Sequence, residues 1–162
     1  MRREIAEQLA DRLESGDYIQ GTQVLKNEIP TRDGAVFKHC CLGVVCEMAV
    51  EAGVIPPSVP FGSLGSSHGF GQSGDEIDNA LPPVTVVEWV YGRGVDYNPR
   101  SGYFPWRVNA PEDVETRFEG IPVSSDGTVG MATLNDSGAS FEEIAKLVRE
   151  TYCATSSEPA AA

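Results

Sequence analysis

The sequence predicts an α+β domain in which a small antiparallel sheet, formed by two hairpins, has about four helices packed on it. Two patterns carry this prediction. Apolar residues recur at helical spacing in several stretches, and two Asp-Gly pairs each separate runs that are rich in strand-forming residues. Helices therefore flank hairpins along the chain, and this order is typical of an α+β fold.

Apolar spacing predicts two helices in the first third of the chain. The first covers residues 2–15 and ends at Gly16, since glycine suits the left-handed position after a helix. The second lies within residues 36–56, after a strand, and ends at Gly53. The face of this second helix that we expect to be buried consists of Leu42, Val45, Cys46, Ala49 and Val50. We expect the rest of the chain to be organised around it.

A hairpin is predicted between these two helices. Residues 22–29 and 35–39 favour strands, and Asp33-Gly34 between them is typical of a tight turn in which both residues take positive φ. Pro30 has no N–H to donate to a neighbouring strand. It therefore confines the first strand to an edge or shortens it.

Residues 56–79 are rich in Gly, Ser and Pro, and we expect a long loop that is either mobile or a functional surface. Residues 69–74 match the pattern G-x-G-x-x-G. No predicted strand precedes this pattern, and the acidic pair Asp75-Glu76 follows where a phosphate would have to lie. The glycine pattern therefore does not predict a dinucleotide site.

A short third helix is predicted to open with residues 80–83, since proline is tolerated in the first turn of a helix, and Gly92 or Gly94 ends it. Its expected apolar face consists of Val84, Val87, Val90 and Tyr91.

A second hairpin is predicted from residues 114–123 and 128–132. The turn between them contains Asp126-Gly127, and the reasoning is the same as for the first hairpin.

The last helix has the clearest start signal in the chain, because Ser140 and Glu143 match a capping box. Its expected buried face consists of Phe141, Ile144, Ala145 and Val148. Just before it, residues 135–138 either bind a ligand hydroxyl or form an Asx turn that leads into the cap. We predict a single domain over residues 1–153 and a disordered tail over residues 154–162.

The charge of the chain is unusual, with 24 acidic and 12 basic side chains among 162 residues. A net charge of −12 disfavours direct binding to nucleic acid and to anionic membranes. It favours solubility, a basic partner or mimicry of a phosphate backbone. No stretch has the roughly 18 apolar residues of a membrane span or the apolar core of a secretory signal. We therefore expect a cytoplasmic protein with reduced thiols.

The cysteines at the start of the central helix offer a possible nucleophile. A thiol at a helix N-terminus has a lowered pKa, and Cys40 and Cys41 lie at that place. His68 would be the base, and Asp136 or Asn135 would orient it. The alternative is that these cysteines are small apolar core residues.

A metal site and a cofactor are not expected. The available ligands are His39, Cys40, Cys41, Cys46 and Cys153. They lack the Cys-x2–4-Cys spacing of zinc sites, and consecutive cysteines point apart.

Aromatic and cationic side chains interleave in the segment 96–107. We predict that this segment binds a small anionic molecule, because aromatic rings can stack on a base while exposed arginines hold its phosphate. The alternative is a loop whose aromatic side chains fill the edge of the core. The candidate ligand-binding residues are Tyr97, Arg100, Tyr103, Trp106 and Arg107.

Three blocks together carry a family resemblance: GDYIQG at 16–21, HCCLGVVCEMA at 39–49 and LNDSGASFEEIA at 134–145. In this order they resemble a family of small uncharacterised proteins of tailed bacteriophages and prophages. The resemblance covers most of the chain. It implies an accessory, non-virion protein that acts in the host cytoplasm, and it carries no known activity.

Three functions follow from these observations. The first is sequestration of a nucleotide-like host signal as counter-defence. One alternative is a cysteine-dependent enzyme. The other, ranked second, is an acidic inhibitor or nucleic-acid mimic that binds a basic host protein. The acidic face that this second function needs would include Asp75, Glu76, Asp78, Glu112, Asp113 and Glu115.

Overall fold

A computed structural model describes residues 1–62, 65–72, 77–95, 97 and 105–154. The α+β class is confirmed. The helices are α1 (Arg3–Glu14), α2 (Cys41–Glu51), α3 (Val84–Tyr91), α4 (Val114–Arg117), α5 (Met131–Asp136) and α6 (Phe141–Tyr152). The strands are β1 (Ile19–Gln20), β2 (Lys26–Thr31), β3 (Gly34–His39), β4 (Val59–Phe61), β5 (Ser67–Gly69), β6 (Arg107–Asn109) and β7 (Thr128–Gly130). The predicted tail lies outside these residues from position 155 onward.

The larger sheet has five strands in the order β1-β3-β2-β5-β4. All its pairs are antiparallel except β1 with β3, which run parallel. A separate sheet consists of β6 and β7. The central helix α2 packs against α1, α3 and α5, and α1 also packs against α6.

The first predicted hairpin exists, but its turn is shifted by one residue. Thr31 pairs directly with Gly34, so the two turn residues are Arg32 and Asp33. Gly34 has a φ of +135° and begins β3, whereas Asp33 does not take positive φ. Pro30 neither confines β2 to an edge nor shortens it, because β2 lies between β3 and β5 and runs to Thr31. It is tolerated because β5 pairs with β2 only at the other end of that strand.

The stretch expected to be only a loop, residues 56–79, contributes β4 and β5 to the larger sheet. β5 pairs with β2, for example at Ser67 and Asn27, and β4 pairs with β5, for example at Phe61 and Ser67. A strand therefore does precede the glycine pattern, contrary to the prediction. That strand is antiparallel to both its neighbours, so the βαβ context of a dinucleotide site is still missing. Residues 73–76 lie outside the described part of the chain.

The second predicted hairpin is wrong in its first strand. Residues 114–117 form α4, and β7 pairs with β6 instead. Val114 and Phe118 are both buried, and their spacing of four residues is that of a helix face. A turn is present at Asp126-Gly127, but Asp126 does not take the predicted positive φ and no strand of the described chain leads directly into the turn. Gly127 has a φ of +75°, and its N–H donates to Ser124 O at 2.9 Å.

The predicted face of α2 is buried at four of its five positions, and Val50 is partly buried. Gly43 is needed for close packing on this helix. A Cβ atom at Gly43 would lie 1.7 Å from the carbonyl oxygen of Leu25, so any side chain would collide with backbone. The residue before the helix also faces this carbonyl, because Cys40 N donates to Leu25 O at 3.3 Å.

The predicted capping box of α6 is confirmed. Glu143 N donates to Ser140 Oγ at 3.2 Å, and Ser140 N donates to Glu143 Oε2 at 2.8 Å. All four residues of its predicted face are buried. The prediction for α3 is less accurate, since Val84 is 43% exposed and Val86 takes its place in the core.

Candidate functional site

A cleft of about 270 Å³ opens where the start of α2, the residues before α3, the two-stranded β6–β7 sheet and α5 meet. Its walls are mostly apolar. The polar side-chain groups on its lining residues are the indole N–H, a guanidinium and a threonine hydroxyl. The lining residues are Leu42, Leu81, Trp106, Arg107, Pro122, Gly130, Ala132 and Thr133. We call this space the β6–α5 cleft.

Trp106 forms a fixed wall of the β6–α5 cleft. The residue is 1% exposed, and its ring packs edge to face against Tyr91 with 5.3 Å between the ring centroids. Its carbonyl oxygen accepts a hydrogen bond from Met131 N at 2.8 Å. The indole Nε1 is buried and donates to no acceptor among the described residues. An unpaired buried donor costs about 1–3 kcal/mol, and this one is covered by protein atoms, so Trp106 supports the cleft from behind.

Arg107 is not the exposed cation that the sequence predicts. It is half-buried, and its Nε donates to Thr128 Oγ1 at 2.6 Å. Its Nη2 donates to Ser124 Oγ and, at 2.7 Å, to Thr128 O. The guanidinium therefore connects β6 to β7 and to the turn before β7. Its Nη1 has no acceptor in the described part of the chain and remains available.

Asp126 offsets part of the charge of Arg107. Its Oδ1 accepts hydrogen bonds from Thr128 Oγ1 at 2.7 Å and from Thr128 N at 3.1 Å. These hydrogen bonds, together with the charge of Arg107, lower the pKa of the Asp126 carboxyl. Because the Thr128 hydroxyl accepts from Arg107 and donates to Asp126, it links the two opposite charges.

The register of β6 and β7 brings the polar residues of the cleft together. Arg107 pairs directly with Gly130, and α5 begins at the next residue. A Cβ atom at Gly130 would come within 3.0 Å of Thr133 Oγ1. Glycine therefore leaves the space beside the Thr133 hydroxyl open, and that hydroxyl has no partner among the described residues.

The structure brings two of the five predicted ligand-binding residues, Trp106 and Arg107, into one cleft. Tyr97 is half-buried, and its hydroxyl donates to Pro82 O at 3.0 Å, next in sequence to a cleft residue. Burial raises the pKa of Tyr97 to about 12, so its hydroxyl stays protonated. Arg100 and Tyr103 lie outside the described residues.

The cysteines do not have the environment that the thiol hypothesis needs. Cys40 and Cys41 are buried, and burial raises the pKa of Cys40 to about 11 and that of Cys41 well above its usual value. The helix N-terminus therefore does not activate either thiol, contrary to the prediction, because desolvation of the thiolate outweighs it. Of the four cysteines, all of which lie in the described part of the chain, only Cys153 is half-buried and the other three are buried.

His68 is occupied elsewhere. Its Nε2 lies 3.0 Å from Glu28 Oε2, and its ring packs edge to face on Phe37. Asp136, the residue proposed to orient the histidine, instead accepts a hydrogen bond from Gln23 N at 2.8 Å. None of the hydrogen bonds of His68 among described residues goes to a cysteine. The predicted Cys-His-Asp set is not assembled.

His39, one of the available metal ligands, pairs with a carboxylate, as His68 does. Its Nε2 lies 3.2 Å from Glu47 Oε1, which in turn accepts from Lys26 Nζ at 2.8 Å. Burial would raise the pKa of Glu47, but hydrogen bonds from His39 and Lys26 outweigh it and lower that pKa. The described residues contain no group of three or more potential ligands that could hold a metal ion.

A buried amide, not foreseen as a contact point, joins the three blocks of the family resemblance. Asn135 is fully buried, and its Oδ1 accepts from Cys41 N at 3.3 Å and from Gln20 Nε2 at 3.2 Å. Its Nδ2 donates to Gly21 O at 2.8 Å. Each block thus supplies one part of a shared hydrogen-bond network. The predicted Asx turn is not what forms here, because Asn135 and Asp136 end helix α5 and their side chains bond to distant residues.

The proposed acidic face has several members with local structural roles. Asp78 Oδ1 accepts hydrogen bonds from Ala80 N at 2.7 Å and from Leu81 N at 3.2 Å, so it holds the turn before α3. Asp113, the N-cap residue of α4, has its Oδ2 atom 3.9 Å from Nη1 of Arg117 in the same helix. Residues 75–76 lie outside the described part of the chain.

The fold and the cleft define an α+β domain with a candidate small-molecule site on its two-stranded sheet. The chain belongs to the family described as Domain of unknown function (DUF8296), whose model matches residues 1–152. None of the curated proteins and none of the solved structures matches the chain. Within the described ranges, no helix is both long enough and apolar enough to cross a membrane.

Proposed function

We propose that this protein binds a small molecule in the β6–α5 cleft. The observation that carries the proposal is the position of the Arg107 guanidinium and the Thr133 hydroxyl on one largely apolar cleft. Small-molecule sites combine apolar walls with a few polar groups in this way, and their volumes usually reach about 300–1,000 Å³. At about 270 Å³, the cleft suits a ligand near the lower end of that range.

The biological role that we propose is that of an accessory protein which sequesters a nucleotide-like signal in the cytoplasm of a bacterial host. The resemblance of three sequence blocks to phage and prophage proteins supports this role. Sequestration needs only binding, and the buried thiols offer no nucleophile for a reaction. In this role the protein would act as counter-defence by lowering the free concentration of the signal.

The test is a thermal-shift screen of nucleobases, nucleosides, nucleotides and cyclic nucleotides, combined with a variant that fills the cleft. Ala132→Leu adds bulk to the lining of the cleft. Ala35→Leu makes the same chemical change on the exposed β3 strand and is the matched control. A ligand well above its Kd should raise the melting temperature of wild type and of Ala35→Leu, but not of Ala132→Leu.

A ligand that stabilises Ala132→Leu as well as wild type would refute binding in this cleft. If no compound stabilises wild type, the alternative function takes precedence. That alternative is an acidic inhibitor or nucleic-acid mimic, and its test is capture of a basic host protein by the tagged wild-type chain. The net charge of −12 is the observation that favours it.

A further inference from the structure

The two faces of the larger sheet differ in charge and in burial. Paired residues of neighbouring strands lie on the same face of a sheet, and successive residues of one strand lie on opposite faces. The pairing of the five strands therefore defines two complete rows of side chains, one on each face. One row consists of Gln20, His39, Lys26, His68 and Pro60, and the other consists of Ile19, Lys38, Asn27, Ser67 and Phe61.

The first face is closed by contacts within the chain. Its two histidines are buried, and each pairs with a carboxylate, since His39 Nε2 lies 3.2 Å from Glu47 Oε1 and His68 Nε2 lies 3.0 Å from Glu28 Oε2. Lys26 Nζ donates to Glu47 Oε1 at 2.8 Å. The charged groups of this face therefore already have partners inside the protein.

The opposite face is open, and we call it the Ile19 face. Its large apolar side chains come from four of the five strands and are Ile19, Ile29, Val36, Val59 and Phe61. Ile19 is 49% exposed and Val59 is 43% exposed, while the other three are half-buried. Asn79 covers only the β5 side of this face, where its Nδ2 donates to Ser67 Oγ at 3.2 Å. An apolar patch that stays open to solvent in this way marks an interaction surface.

The charge of the Ile19 face indicates which partner it fits. None of the strand residues on this face is acidic, and the charged residue in its row is Lys38, although the chain has 24 acidic side chains and a net charge of −12. Two copies of the chain repel each other over most of their surface, and they do so least at this face. A basic partner would be attracted to the carboxylates elsewhere and repelled by Lys38. The charge distribution therefore favours a second copy over a basic protein.

We infer that two copies of this chain associate by packing their Ile19 faces against each other. The same patch would serve on both copies, as in a two-fold symmetric dimer, and the two sheets would stack about 10 Å apart. Five strands at their usual spacing make the face about 20 Å wide, so the contact area lies at the lower end of specific interfaces. The dimer should therefore be weak and depend on concentration. None of the residues that line the β6–α5 cleft belongs to this face, so the inference is independent of ligand binding.

Sedimentation velocity of wild type and of four variants tests the dimer. Wild type should shift from monomer to dimer between low micromolar and several hundred micromolar concentration. Ile19→Asp and Val59→Asp place carboxylates on the Ile19 face at exposed positions, and each should weaken the dimer at least about tenfold. Val84→Asp and Val123→Asp make the same change at positions that are 43% and 38% exposed outside the larger sheet, and both should dimerise as wild type does. Melting curves of all four variants check that they are folded.

Crosslinking between copies locates the contact without any substitution. The chain has three lysines, Lys26, Lys38 and Lys146. A mixture of unlabelled and ¹⁵N-labelled wild type is treated with a lysine-reactive crosslinker, and crosslinks between a light and a heavy peptide come from two copies. We expect such crosslinks at Lys38. The side chain of Lys146 on α6 is 75% exposed and is the control, since it lies far from the Ile19 face in this dimer and should form none with its counterpart.

Three outcomes overturn the inference. One is a wild-type chain that remains monomeric at every concentration. Another is a dimer that Ile19→Asp and Val59→Asp leave intact. The third is a set of light–heavy crosslinks that join Lys146 and leave out Lys38. If the two face variants do not fold, the crosslinks of wild type decide between this face and any other.

Discussion

The side-chain oxygen of Asn135 accepts a hydrogen bond from the backbone N–H of Cys41 at 3.3 Å, which ties α5 to the first residue of the central helix. This contact caps one of the N–H groups that a helix leaves unpaired at its start. The N-cap residue Cys40 makes no such bond with its own side chain. A residue far along the chain therefore does what a local cap usually does.

Replacing Asn135 should destabilise the fold. Asn135→Ala would leave the buried Cys41 N and the half-buried Gly21 O without this partner, while Gln20 Nε2 keeps its hydrogen bond to Ala139 O. A buried group that loses its partner costs about 1–3 kcal/mol before relaxation. We expect the free energy of unfolding to fall by about 2–4 kcal/mol in urea titrations. Asn109→Ala changes an exposed asparagine and should cost less than about 0.5 kcal/mol. Equal losses in the two variants would refute the role of the network.

The buried face of α2 predicts a large cost for truncation. Leu42 is 2% exposed and also lines the β6–α5 cleft. Leu42→Ala should lower the free energy of unfolding by about 2–5 kcal/mol. Val84→Ala, at an apolar position that is 43% exposed, should change it by less than about 0.5 kcal/mol. An unchanged melting curve for Leu42→Ala would show that this face is not part of the core.

Arg107 should matter for stability, contrary to the expectation for a surface arginine. Arg107→Glu removes the hydrogen bonds to Thr128 and Ser124 and places a second carboxylate near Asp126. We expect a loss of about 1–3 kcal/mol in unfolding free energy, since hydrogen bonds from charged groups are worth more than neutral ones. Arg93→Glu is the exposed control and should be nearly neutral. The prediction is wrong if both variants unfold at the same denaturant concentration.

The thiols should differ sharply in reactivity. Burial raises the pKa of Cys40 and Cys46, so at neutral pH both should resist alkylation in the folded protein. Cys153 is half-buried and should react first. Mass spectrometry after brief iodoacetamide treatment should show one modified cysteine under native conditions and four in denaturant. Rapid labelling of Cys41 in the folded protein would contradict this prediction and would favour the hypothesis of a cysteine-dependent enzyme.

The Glu47 carboxylate should make stability depend on acid pH. Its folded pKa lies below the usual value of 4.5 because His39 and Lys26 donate to it despite its burial. A depressed folded pKa means that the carboxylate stabilises the fold above about pH 4.5, and that this contribution is lost as the pH falls through the folded pKa. The melting temperature of wild type should exceed that of Glu47→Gln at pH 7, and the difference should shrink below pH 4.5. A difference that stays constant from pH 7 to pH 3 would contradict this account.

Local signals predicted α1, α2, α3 and α6, because each depends on residues close together in sequence. The capping box at Ser140 and Glu143 and the apolar spacing of α2 are of this kind. The short helices α4 and α5 were not predicted, since they begin in stretches that favour strands. Pairings between distant residues were not predicted. Arg107 pairs with Gly130, but the segment that contains α4 separates them in sequence, and no spacing rule links two such positions. The two strands in residues 56–79 were missed for a similar reason, since they are short and are held by β2.

The candidate site was only partly predictable. Aromatic and cationic residues drew attention to Trp106 and Arg107, and both line the cleft. The role of Arg107 depends on neighbours that only the fold provides, such as Thr128, which accepts hydrogen bonds from Nε and Nη2 of the guanidinium. Thr133 was not predicted at all, because a single threonine in a short helix carries no local signal of binding. The raised pKa of the cysteines likewise follows from burial, which position at a helix start does not reveal.

The packing of α1 against α6 means that the first helix of the domain meets its main partner only when almost the whole chain has been made. During translation, α1 and α2 can pack against each other early, but the side of α1 that α6 covers and the N–H of Cys41 have no partner until residues 135–148 leave the ribosome. The domain is consequently expected to complete its fold late and all at once, and a nascent chain stalled before α5 should remain sensitive to proteases.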